Sequence, residues 1–212
     1  MENAIQIIFE IAILVFSVVI HEVSHGYMAL FLGDHTAQFA GRLTLNPIKH
    51  IDPVGSILVP SMLAILGAPI IGWARPVPFN PYNLRNKKWG PALVGIAGPA
   101  ANIALAVFFG LFIRFSPLFS GLFNEGMLFS FLRIIFMIAL LNLSLAVFNL
   151  VPIPPLDGSK VLVAFLPYQY RNVIYFLEQY GIIFIFLLLP LIGSVISPLI
   201  ERAFSLITGL PF

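Results

Sequence analysis

The sequence has 212 residues, of which 59% are hydrophobic and only 9% charged, and its mean hydropathy is +1.00. A water-facing domain carries about 25% charged residues, so this chain cannot cover itself with a polar surface, and lipid is the solvent its composition fits. A net charge of +2 from scattered Lys and Arg offers no face for nucleic acid, and the lack of cysteine excludes disulfides and thiolate metal sites.

The first apolar segment runs over 4–32, long enough as a helix to cross a hydrocarbon core of about 30 Å. It lacks the basic start and small-residue cleavage site of a signal peptide and is expected to be retained. Gly33-Asp34 ends it, and a mixed polar stretch follows to residue 53. Segment 54–72 is apolar but broken by Pro60, Gly67 and Pro69. A loop rich in Pro, Asn and basic residues leads to apolar segments at 91–113, 128–150 and 173–192, with a shorter one at 195–207. No internal repeat and no run polar enough for a separate soluble domain is visible. The expectation is a single domain over 1–212, an all-α polytopic membrane protein of about five to six membrane segments.

Lys and Arg in short loops mark the cytoplasmic side. The loops at 33–53 and 73–90 hold six of the eleven basic residues, whereas the N-terminal region has Glu2 and Glu10 and no base before the first helix ends. This places the N-terminus outside and both loops in the cytosol. Segment 54–72 must then enter and leave on one side, and its Pro and Gly breaks suit a re-entrant hairpin, a shape tolerated at membrane depth only when packed against protein. A true extra span is the competing reading.

The first helix carries His21-Glu22-Val23-Ser24-His25. Spacing i to i+4 puts both imidazoles on one face, where they can take two corners of a Zn²⁺ tetrahedron. Glu22 lies beside them, able to take a proton from water without being a ligand. An ionisable trio at membrane depth is costly unless it pairs, ligates or lines a cavity. The bland alternative is polar glue between helices, which rarely needs metal spacing. A third protein ligand is required. Asp157 is a candidate, since Pro152, Pro154 and Pro155 break the helix before it; taken alone, Asp157-Gly158 reads better as an ordinary turn at a membrane boundary. Asp34 reads as a helix stop, Asp52-Pro53 as a turn opener, and His35 and His50 as loop residues with no need of metal.

In this order the motifs resemble the site-2 protease family of intramembrane zinc metalloproteases. His21 to His25 is similar to its H-E-x-x-H, Gly98-Pro99-Ala100-Ala101-Asn102 to its Gly-Pro-x-x-Asn-like element, and Asn149 through Asp157-Gly158 to its Asn…Pro…Asp-Gly motif. Gly-Arg-Leu-Thr-Leu-Asn-Pro at 41–47 looks like a compact, mostly prokaryotic branch, and there is no room for the PDZ or CBS modules of many relatives. The resemblance implies one Zn²⁺ per chain held by His21, His25 and Asp157, Glu22 as general base, and Asn149 assisting substrate or oxyanion. It implies a membrane-embedded β element at 75–80, where Val77, Phe79 and Asn80 would pair with an unwound substrate strand. Asn102 reads either as a substrate contact or as a helix-packing residue.

The implied activity is peptide-bond hydrolysis within or near transmembrane segments of membrane-protein substrates in a prokaryotic cell membrane, with the site toward the cytosol. With no regulatory module, control by an accessory partner or by prior trimming of substrate is the remaining hypothesis. The rivals are a membrane ion or metal transporter and a catalytically silent, membrane-protein-binding homologue. Against transport stand the lack of a second intramembrane His cluster and of paired inverted halves; against silence stands the intact Glu22. No G-x-S-G elbow is present, and Gly33-Asp34 lacks the preceding Gly of the aspartyl type.

Overall fold

The structure, a computed structural model, describes residues 2–67, 72–118, 121 and 124–211. Among them the chain is helical, with α1 (Glu2–Phe31), α2 (Thr36–Phe39), α3 (Val59–Ile65), α4 (Gly90–Arg114), α5 (Glu125–Asn149), α6 (Gly158–Phe165) and α7 (Arg171–Thr208). Among the described residues three helices are long and apolar enough to cross a membrane, over Gln6–Phe31, Gly90–Arg114 and Gly126–Asn149.

Side-chain contacts fix their directions. Gln6 meets Arg133 and Ser17 meets Asn142, so α1 and α5 run parallel. His21 meets Asn102 while His25 meets Val94, so α4 runs antiparallel to α1. α4 is the central helix, and its buried face is built of small residues: Gly90, Gly95, Gly98, Ala106 and Gly110. Without lipid-excluded water to drive association, such residues let helix backbones approach closely. A Cβ at Gly110 would fall 2.5 Å from Ile207 of α7, and one at Gly95 would fall 3.0 Å from Lys160 of α6. Ala106, Ile113, Ile135, Ala139, Leu143 and Phe204 form the apolar core of α4, α5 and α7.

The end of α1 is a Schellman turn: Gly33, at φ 102°, donates to the Leu30 carbonyl and Asp34 to that of Ala29. A non-glycine residue would be strained there.

Two expectations meet differences. Residues 173–192 and 195–207, expected as separate segments, lie in the single helix α7. The interruption at Gly193 is not enough to end a helix. α7 spans about 57 Å at 1.5 Å per residue, and Arg114 donates to the Leu206 carbonyl at 2.7 Å, bringing the last turns of α4 and α7 to the same end.

Residues 72–80 form no strand among the described residues. Pro76 and Pro78 have no N–H, so the ladder that a β element needs cannot be built through them. Single hydrogen bonds hold the segment instead, with Trp73 donating to the Gly55 carbonyl and Arg75 to that of His50.

In segment 54–72, residues 68–71 lie outside the described residues. Pro53–Leu58 is a π-helical turn leading into α3. The two ends of the segment meet, because Trp73 N–H lies 3.0 Å from the Gly55 carbonyl and its indole donates to Asp52 at 2.9 Å. A Cβ at Gly55 would collide with that indole ring.

Candidate metal centre

His21, Glu22 and His25 each offer a ligand atom, all within 4.8 Å of one another. Helical spacing puts them on one side of α1, and the imidazoles stand edge to face with ring centroids 4.7 Å apart. Asp157, at the residue before α6, points one carboxylate oxygen at both rings. Its Oδ2 lies 3.0 Å from His21 Nε2 and 3.1 Å from His25 Nε2. The Pro-rich turn before α6 brings this carboxylate across the bundle, and Gly158 lets that turn close, since a Cβ there would strike the Leu150 carbonyl. All three side chains are buried.

Each remaining polar atom of this cluster has a partner. His25 Nδ1 donates to the Val94 carbonyl at 2.6 Å. His21 Nδ1 lies 2.5 Å from Asn102 Oδ1. Asp157 Oδ1 accepts from Lys160 Nζ at 2.7 Å, one helical turn along α6. Thus both imidazoles keep Nε2, and the carboxylate keeps Oδ2, for a common centre. Partners on the outer ring nitrogens are what metal-ligating histidines carry in general.

Gly98 tests whether an ion fits. A Cβ at residue 98 would lie 2.5 Å from His25 Nε2 and 2.6 Å from His21 Nε2. The absence of a side chain leaves α4 open beside the two donor nitrogens. Two imidazoles and a carboxylate are donor types that zinc accepts.

Glu22 Oε2 accepts from the backbone N–H of Val77 at 2.8 Å. Val77 is buried, and Phe79 packs against Ala29, Leu84 and Val94. Asn80 gives its N–H to Asp34 at 2.6 Å and turns its own amide oxygen to Tyr82. Of the residues expected to meet substrate, Val77 therefore reaches the metal cluster, while Asn80 is engaged in loop structure. Asn102 is fully buried and bonded to His21 rather than facing an open groove. Asn149 donates to the Leu145 carbonyl one turn back in its own helix, and its hydrogen bonds among the described residues do not include the cluster.

Lys160, Asn142 and Asp34 were not singled out by the motifs. For Asn142 the available signal is an amide in the middle of an apolar span. For Lys160 it is a cation three residues beyond a ligand-like Asp on a helix.

A buried His-His-carboxylate cluster in a multi-pass helical bundle defines a class, the membrane-embedded metallopeptidases. The profile of peptidase family M50 matches residues 9–189, and the chain belongs to that family, the zinc-dependent site-2 proteases. YwhC of Bacillus subtilis, named as a zinc metalloprotease, is 40% identical over 183 residues, 85% of this chain and 80% of its own length. Rip2 of Mycolicibacterium smegmatis, with the same designation, is 32% identical over 89% of this chain and 66% of its own length. Rip2 of Mycobacterium tuberculosis is 29% identical over 81% of this chain and 62% of its own length. No solved structure gives a significant match.

Proposed function

We propose that this chain hydrolyses peptide bonds within or near the transmembrane segments of membrane-protein substrates, using zinc held by His21, His25 and Asp157. The observation that carries this reading is the convergence of both Nε2 atoms on Asp157 Oδ2, with Glu22 beside them on an apolar helix. When bound, zinc supplies a Lewis acid that polarises the scissile carbonyl and makes water acidic enough to attack near neutral pH.

The chain's own residues do the rest. Glu22 accepts the proton of the attacking water and returns it to the leaving amine. Lys160 occupies Asp157 Oδ1, leaving Oδ2 as the oxygen presented to the metal. Gly98 keeps the floor of the site open. Val77 N–H orients the Glu22 carboxylate, so the segment 72–80 reaches the reacting region from the loop side. A peptide laid along this segment meets few backbone donors, because Pro76 and Pro78 have none and Val77 and Asn80 have given theirs to Glu22 and Asp34.

The protein lies in a prokaryotic cell membrane with its N-terminus outside. His25 sits seven residues before Leu32, about 10 Å of helix, which sets the site toward the cytosolic side. The meeting of Gly55 and Trp73 supports entry and exit of segment 54–72 on one face.

The test is cleavage of single-span substrates by the reconstituted protein, with metal content measured in parallel. Glu22→Gln is expected to lower cleavage by at least about 100-fold, the lower end of general acid–base contributions, while keeping its zinc. Asp157→Asn is expected to lose both zinc and cleavage. Full activity of Glu22→Gln would sink the mechanism, and metal flux without proteolysis would replace it with transport.

A further inference from the structure

The two imidazoles are fixed by different means. His25 Nδ1 meets a backbone carbonyl, that of Val94, which can only accept, so this nitrogen must carry the proton. His21 Nδ1 meets the side-chain amide of Asn102, whose two ends differ: the oxygen would accept from N–H, and the nitrogen would donate to a lone pair. The tautomer of His21 therefore depends on which way Asn102 is turned.

That choice is made away from the site. Asn102 Nδ2 donates to Asn142 Oδ1 at 2.7 Å and lies 3.4 Å from the Ser17 carbonyl. Asn142 in turn is held by the Ile138 carbonyl, which accepts from its Nδ2 at 2.9 Å. The same Nδ2 reaches Ser17 Oγ at 2.9 Å. Ile138 and Ser17 contribute backbone carbonyls, pure acceptors that set the polarity of the relay. Asn142 must face Ile138 with its nitrogen and Asn102 with its oxygen. Asn102 must then face Asn142 with its nitrogen and His21 with its oxygen. Both amides are fully buried and out of contact with bulk solvent.

We infer that Asn142 is a positioning residue for the metal centre: acting through Asn102, it holds His21 with the proton on Nδ1 and the lone pair of Nε2 turned to the metal. This rests on the assignment of His21 as a zinc ligand. Interhelical glue alone, joining α5 to α1 and α4, would not require the relay to end on a ligand or to have this polarity.

The test is zinc affinity, measured by chelator competition on the full chain in detergent, together with the visible spectrum of the cobalt-substituted protein. Asn142→Leu removes the 2.7 Å acceptor and leaves only the 3.4 Å contact with the Ser17 carbonyl to hold the Asn102 nitrogen, so the amide can turn that nitrogen to His21; zinc binding is expected to weaken about 10-fold, the lower end of losses seen when partners of metal ligands are removed. Asn142→Asp, as the neutral acid that burial away from water favours, keeps an oxygen facing Asn102 Nδ2 and an O–H facing the Ile138 carbonyl, and is expected to stay within about twofold of wild type. The cobalt bands should shift in the first variant and not in the second. Should Asn142→Leu fail to fold, Asn142→Ala removes the amide without added bulk and carries the same expectation. Equal zinc affinity in wild type and the apolar variants, or equal loss in Asn142→Leu and Asn142→Asp, overturns the relay. His21→Ala serves as the reference. If it binds zinc as wild type does, the ligand assignment itself fails; if it loses zinc while Asn142→Leu does not, only the relay fails.

Discussion

The two sides of the metal cluster are built on different physical terms. On one side, α1, α4 and α5 hold His21 and His25 by close helix packing and fully buried hydrogen bonds. On the other, residues 72–80 have no regular structure and are held by side chains reaching from elsewhere. Arg42 Nη2 donates to the Arg75 carbonyl at 2.7 Å, Glu22 accepts from Val77, and Asp34 accepts from Asn80. Packing positions the metal side, and point contacts position the loop side. The two should therefore be separable, with metal affinity following helix packing and the reactivity of Glu22 following the loop contacts.

Among variants that separate the two sides, the largest effect is expected from Gly98→Ala. The added methyl meets both Nε2 atoms, and overpacking of this kind costs about 1–3 kcal/mol, which corresponds to a roughly 5- to 150-fold loss of zinc affinity. Chelator competition checks it. Unchanged affinity would show that the space beside Gly98 is not needed for the ion.

A smaller effect belongs to the loop side. Val77→Pro deletes the one N–H that Glu22 accepts in this segment, while Val77→Ala keeps it. Hydrogen bonds to charged groups contribute about 1.5–3 kcal/mol, and partial loss of that orientation is expected to lower cleavage by roughly tenfold in the proline variant alone, at about 1.4 kcal/mol per decade. Zinc content should be the same in both. Loss of zinc in Val77→Pro would break the proposed division, and a rise in cleavage would recast the contact as a restraint on the base.

Much of this division was visible in the sequence. Apolar runs marked α1, α4 and α5, because a lipid solvent demands uninterrupted backbone hydrogen bonding and therefore long unbroken helices. His21, Glu22 and His25 were legible because their chemistry depends on i to i+4 spacing. Asp157 was legible only in combination, since its approach to α1 depends on a tertiary turn across 136 positions. Residues 75–80 were expected as a β element, but two prolines remove the donors a ladder requires. The continuity of α7 through Gly193 was hidden because a glycine weakens a helix without dictating an end. Asn142 and Asn102 form their relay only when three helices meet, and no local spacing encodes that. Asp34 looked like a stop signal; its further role depends on residues nearly 50 positions away.

Asp34 supplies the smallest and most local prediction for the loop side. Its fully buried carboxylate accepts from the Thr36 hydroxyl and N–H, from Asn80 N–H and from Asn83 Nδ2. Burial alone would push its pKa up, but these hydrogen bonds outweigh burial and hold it below its ordinary value of 3.8. A carboxyl with a depressed folded pKa adds stability that is present above the ordinary value and fades as pH falls through the lower folded one. Asp34→Asn turns an NH₂ toward one of the four donors, and leaving a buried donor unpaired costs about 1–3 kcal/mol. The variant should therefore unfold earlier than wild type near neutral pH, and the two unfolding curves should draw together once the pH falls below about 4. Thermal unfolding in detergent from pH 7 to pH 3 measures the gap. A gap that stays constant across that range would mean the carboxylate charge contributes nothing to holding Asn80, and the loop-side contact would have to be reassigned to packing of Phe79 alone.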